Sequence, residues 1–229
     1  MSQATRRLGR VEHSRPILSR KLSLSSTEAN RVYLRCFDNV SKNLYALDVI
    51  CAELLPLEFA EAQTKMLDDK FVELRNEMHT HLDQAKAMYY DVLGISEDAS
   101  FSCTKEYTVD YSTHYVVQFL ELIELLDAFM KVIHTARAYG GLKATNVRSR
   151  AYERQQRLIK FSGQLRFHSQ EIWGRIKNRS AYHDADNSSK EAKEAVKIIG
   201  DIMQQPEIPA GTDDAVEATA PALSRQGRT

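Results

Sequence analysis

Only three of the 229 residues are cysteines, Cys36, Cys51 and Cys103, widely spaced, with no CxxC pair and no histidine pair at metal-ligand spacing. This excludes a disulfide framework and a zinc ribbon, and predicts three small buried hydrophobes in a reducing compartment. Long apolar runs are also missing. The richest stretch, Tyr115 to Ala138, is interrupted by Glu121, Glu124, Asp127 and Lys131, so it reads as a buried amphipathic helix instead of a membrane span of about 20 apolar residues. The first twenty residues are basic but lack the apolar core of a secretory signal. A cytoplasmic, nucleoid- or plasmid-associated protein is expected.

The motifs of catalysis are equally scarce. No glycine-rich phosphate loop, GxSxG elbow or HExxH occurs, and "YGGLK" at Tyr139 to Lys143 reads as a turn. His79 and His81, two apart on a helix, point to different faces. Glu121, Glu124 and Asp127 share a helix with His114 and His134, yet no Glu-x-x-His of a dimetal bundle is present. They read as solvated carboxylates or as ion pairs with the basic last helix. No catalytic residue, metal, cofactor, membrane or small-molecule ligand is expected, and an enzyme is the least favoured class.

A net charge of zero hides a division along the chain. Residues 1–32 carry seven Lys/Arg against two Asp/Glu, 38–130 six against eighteen, 131–179 twelve against two, and the residues from 180 onward five against nine. Two basic segments around an acidic one can present phosphates with a positive face although the total is neutral.

Residues 1–29 show no period and read as a disordered basic arm; residues 181–229, with Pro206, Pro209, Gly211 and Pro221, read as a disordered acidic tail. Residues 30–180 form the domain between them, in which one scheme runs twice. First comes a strand over Arg31 to Phe37, then a helix capped by Asp38, Asn39 or Ser41 and running to Leu55. Pro56 opens a second helix with a seam of Ala60, Leu67, Phe71, Leu74, Met78, Leu82, Ala85, Tyr89 and Val92, ended by Gly94. In the second copy Tyr107, Val109 and Tyr111 alternate with Glu106, Thr108 and Asp110, and Ser112 or Thr113 caps a helix apolar on most of its circumference. Gly140 and Gly141 end it, and a last long helix spans Thr145 to Lys177. The fold class is mainly α with two short strands, a ribbon-helix-helix-like unit followed by a long helical hairpin.

On an Arg31 to Phe37 strand, Val32, Leu34 and Cys36 would face a core and Arg31, Tyr33, Arg35 and Phe37 the open side. Paired with the same strand of a second chain, such a face can enter the major groove. There arginine reads guanine, and an aromatic packs on a thymine methyl or the sugar. Arg31, Tyr33 and Arg35 are the predicted base readers. Ser41, Lys42 and Asn43 at a helix start, and Arg148, Arg150, Arg154 and Arg157 on the last helix, are the predicted phosphate contacts. Trp173, beside the apolar stripe of that helix, reads as a core or interface anchor.

The runs "RVYLRCFDNVSKNLYALDVI", "EYTVDYSTHYVVQFLELIELLDAFMKVIHTARAYGGL" and "NVRSRAYERQQRLIKFSGQLRFHSQEIWGRIKNR" resemble the AcaB-like transcriptional regulators of conjugative plasmids and integrative elements, over about residues 28–180. The resemblance implies a ribbon-helix-helix activator acting on double-stranded DNA at the promoter of the master regulator of conjugative-transfer genes. The competing class is a helical interaction or scaffold protein of a conjugation system that does not read DNA. Both predict a homodimer or higher homo-oligomer, because a lone ribbon strand leaves its backbone groups unpaired.

Overall fold

The computed structural model describes residues 16–95 and 97–183, with side chains as far as residue 178. Its first element is not where the sequence reading put it. Strand β1 is Leu18–Leu24, "LSRKLSL", in which Leu22 and Leu24 are buried while Ser19, Lys21 and Ser23 are exposed. The predicted arm of residues 1–29 is thus a strand and a helix start over its second half, and its first fifteen residues fall outside the described residues. So does the predicted acidic tail, apart from the helical backbone that runs on to His183.

Helix α1 is Thr27–Tyr45. Ser26 caps it, its hydroxyl accepting from the Ala29 N–H at 3.3 Å, and Glu28 adds negative charge to the first turn. The predicted strand Arg31 to Phe37 lies wholly inside this helix, a correction with a plain cause. Within those seven residues alternation fits a strand, but the buried set Ala29, Val32, Cys36, Val40, Asn43 and Leu44 repeats by threes and fours across a wider window. The core therefore selects the helix.

The helix continues through a wide turn at Ala46–Ile50 and a last turn at Cys51–Leu54, called α2. Pro56 then stops it and opens α3, Leu57–Lys86, as predicted. The predicted seam of α3 is buried at Ala60, Leu67, Phe71, Leu74, Met78, Leu82 and Ala85, and the helical run extends through a second wide turn at Ala87–Asp91. Gly94 takes the left-handed φ of +64° that ends it.

Strand β2 is Lys105–Tyr111, again as predicted, and it pairs antiparallel with β1 from Leu18 opposite Tyr111 to Leu24 opposite Lys105. Thr113 caps α4, His114–Ala138, where 14 of 25 residues are buried and line both the ribbon and the flanking helices α1 and α3. Gly140, at φ +79°, turns the chain into α5, Ala144–His183. Phe71 of α3 stacks on Tyr115 of α4 at 5.7 Å and meets the edge of Phe161 of α5 at 5.1 Å. Three long helices are joined at that residue.

The described residues are mainly helical, with one two-stranded sheet and a long helical hairpin. Strand, helix and helix occur twice, and the two strands meet in one ribbon. The partner strand that a ribbon needs comes from the same chain, so the backbone argument for a second protomer falls away. Of the cysteines, Cys36 and Cys51 are buried as predicted, but Cys103 is exposed on the loop that leads into β2.

Candidate nucleic-acid interface

The ribbon has two unlike faces. Register fixes its inner pairs as Arg20 with Val109 and Leu22 with Tyr107, and its outer pairs as Ser19 with Asp110, Lys21 with Thr108 and Ser23 with Glu106. All six outer residues are exposed. Each can hydrogen-bond, and the Ser19 hydroxyl already donates to Asp110 across the strands.

The inner face is held by polar contacts at the edge of the core. Arg20 places Nη2 at 2.8 and 3.1 Å from the two carboxylate oxygens of Glu124 on α4. The Tyr107 hydroxyl donates to Asn30 at 2.7 Å, and the Asn30 amide donates to the Ser26 carbonyl at 2.8 Å. At the corner between β1 and α1, the buried Asp127 carboxylate accepts from the backbone N–H of Ser26 at 2.6 Å, from that of Ser25 at 3.1 Å and from the Ser26 hydroxyl at 2.6 Å. Lys131 pairs with its other oxygen at 3.1 Å. Burial pushes the Asp127 carboxyl up, but the hydrogen bonds from Ser26, Lys131 and Ser25 outweigh it and hold the group below the ordinary aspartate range. The first strand thus enters its helix over a charge supplied by the second half.

Carboxylates that sequence reading grouped on α4 are therefore engaged separately. Glu121 meets Arg75 of α3 at 3.3 Å, Glu124 meets Arg20, and Asp127 meets Ser26. The expectation that they pair with the basic last helix is corrected: their cationic partners stand on α3, β1 and α4 itself. His134 faces Glu28 at 3.5 Å and holds that carboxyl below the usual glutamate range.

The residues predicted as base readers sit on α1, not on the ribbon. Arg31 and Arg35, one turn apart, are exposed together with Lys42 on the side away from the core. Tyr33 is half-buried, its ring 4.4 Å from Tyr107 and 5.0 Å from Phe37. It supports the ribbon from beneath and is turned from the exposed stripe. Ser41, Lys42 and Asn43 lie in the last turns of α1 and not at a helix start, so their N–H groups are used in the helix ladder. Asn43 is moreover buried. No anion site is built there.

On α5 the four predicted arginines divide. Arg148 is exposed. The Arg150 guanidinium stands over the Tyr89 ring at 5.6 Å, and with Arg154 it borders a cleft of about 550 Å³ between α3 and α5. Arg154 and Arg157 reach across to α3, where Glu77 lies 3.6 Å from Arg154 and 2.9 Å from Arg157. Their charge is answered within the fold, which corrects the expectation that all four are available to phosphates. Trp173 is half-buried, with its indole N–H enclosed.

Sequence reasoning missed Lys21, Ser19 and Ser23. The signal for them was the alternation of serine and lysine with Leu22 and Leu24, just before the Ser26 cap.

Comparison with known proteins places this arrangement. AcaB from uropathogenic E. coli, solved as a crystal structure of the selenomethionine-containing protein, is similar to this chain: identity is 26%, the TM-score is 0.61, and the match covers 84% of this chain and 99% of that one. No protein-family model matches the chain, and no curated protein matches it significantly. The likeness supports the resemblance to AcaB-like proteins. No helix among the described residues is long and apolar enough to cross a membrane.

Proposed function

We propose that the chain is a cytoplasmic DNA-binding transcriptional regulator, not an enzyme, that activates conjugative-transfer genes and reads the major groove with its own two-stranded ribbon. The observation that carries this reading is the likeness to AcaB, which covers 99% of that protein and 84% of this chain. A ribbon-helix-helix arrangement of two copies of strand, helix and helix, closed within one chain, is supported by the antiparallel pairing of β1 with β2. A two-stranded ribbon fits the roughly 12 Å major groove. Lys21 and Thr108 at its centre, with Ser19 and Ser23, offer donors and acceptors to base edges. Arg31 and Arg35 of α1 and Arg148 of α5 act as phosphate contacts that set affinity and register. Homodimers or larger assemblies join such units.

A second reading, an interaction protein of a conjugation system that does not read DNA, is favoured by the sign of the outer face. Two carboxylates, Glu106 and Asp110, stand there against one ammonium, Lys21. Titration of the protein against promoter duplexes of conjugative-transfer genes, followed by fluorescence anisotropy, separates the two. Base reading predicts that Lys21→Ala weakens binding by about 1–3 kcal/mol and relaxes specificity. Arg31→Ala and Arg35→Ala weaken all sequences alike, each lowering the slope of log K against log salt by about 0.9. No binding by the unaltered protein leaves the interaction protein as the function.

A further inference from the structure

Resting on that reading, we infer that the DNA element recognised by one chain is non-palindromic, and that the two edges of the ribbon read different base chemistry.

Palindromic operators mirror readers in which two identical elements meet on a dyad. Here the strands that meet belong to one chain and are not identical. Along β1 the outward side chains are Ser19, Lys21 and Ser23; along β2, in the opposing positions, they are Asp110, Thr108 and Glu106. Rotation by half a turn about the ribbon centre exchanges Lys21 with Thr108, a cation with a hydroxyl, and exchanges each outer serine with a carboxylate. No base pair satisfies both members of such an exchange equally. The structure fills the place of a dimer partner with the chain's own second half.

Chemistry then assigns the two edges. Lys21 has three donors and no acceptor, which suits the O6 and N7 of guanine. Glu106 and Asp110 accept only, so they suit the exocyclic amines of cytosine and adenine. Asp110 is already bonded by Ser19, whereas no hydrogen bond or ion pair involves Glu106 among the described residues. Glu106 is therefore the stronger discriminator of the two. Carboxylates at this surface also repel phosphates and lower binding to unrelated DNA, so specificity is obtained at some expense of affinity.

Selection of full-length protein from a pool of randomised duplexes, with the mass of the purified complex measured by light scattering, tests this. The expected result is an enriched element per chain without internal dyad symmetry, containing a guanine that Lys21→Ala no longer selects. Glu106→Gln is expected to raise binding to unrelated duplexes severalfold while discrimination falls about tenfold at a cytosine or adenine away from that guanine. An enriched element that is itself a dyad for each bound chain overturns the inference and leaves DNA reading intact. Unchanged discrimination in Glu106→Gln overturns the assignment of the second edge. Failure to enrich any sequence overturns the DNA reading itself and this inference with it.

Discussion

The two halves of this molecule repeat one scheme with opposite chemistry. The helix after β1 is amphipathic, with a core face and an exposed stripe of Arg31, Arg35 and Lys42, whereas the helix after β2 is buried on nearly every side. The closing helix of the first half, α3, carries four Lys/Arg against seven Asp/Glu; that of the second half, α5, carries nine against two. They meet through Glu73 and Glu77 with Arg154 and Arg157. A neutral total arises because two charged halves answer one another, and the cations left for an outside partner are those that the pairing does not reach.

The comparison breaks most completely where the halves share a core. Phe71 touches Tyr115 and Phe161 and is itself fully buried. Phe71→Ala is expected to lower stability by about 3–5 kcal/mol, because α3, α4 and α5 would border one cavity. Urea unfolding measures it. Burial and the bond to Asp68 at 2.8 Å raise the Tyr115 phenol above its usual range, so this contact stays neutral at physiological pH.

Next is the clamp by which the second half holds the first. Asp127→Ala leaves Lys131 without its carboxylate and two N–H groups at the β1–α1 corner without acceptors, and should cost about 3 kcal/mol. Asp127→Asn, which keeps one acceptor, should cost less. The pH dependence has a definite sign. The folded-state carboxyls of Asp127 and Glu28 both lie below their ordinary values, so their stabilisation is complete above the unfolded-state values of about 3.9 and 4.3 and is lost as pH falls through the lower folded-state values. The urea midpoint of the unaltered protein should drop along that acid limb, and Asp127→Asn should flatten the drop.

How much of this was legible in the sequence follows from the same contrast. The helices α3, α4 and α5 and the strand β2 could be read because each has a long periodic face or a clean alternation closed by Pro56, Gly94, Thr113 or Gly140. Strand β1 could not, because its inward row contains Arg20, which a period-two reading counts as outward; it turns inward only because Glu124 waits on another helix. Arg31 to Phe37 misled for the converse reason, since a short alternating window lies within a longer helical one. The engagement of Arg154 and Arg157 depended on the antiparallel register of α3 with α5, which no local pattern contains. The outer face of the ribbon was half visible, in the alternation that turns Glu106, Thr108 and Asp110 outward, while its other half lay in a segment read as an arm.

The smallest effect sharpens the comparison at its charged seam. Glu77 receives Arg157 through Nε at 2.9 Å and Arg154 at 3.6 Å, with side-chain exposures of 27%, 38% and 19%. At such exposure water screens the pair, so a double-mutant cycle of Glu77→Gln with Arg157→Gln should give a coupling of no more than about 1 kcal/mol, shrinking as salt rises. Binding should respond more than stability does. Glu77→Gln frees the Arg154 guanidinium, while Arg157 keeps Glu73 at 3.4 Å; on the proposed DNA-binding function one freed cation that neutralises a phosphate steepens the slope of log K against log salt by about 0.9. A slope unchanged in Glu77→Gln would place that stretch of α5 away from the duplex, and confine the phosphate contacts to Arg31, Arg35 and Arg148.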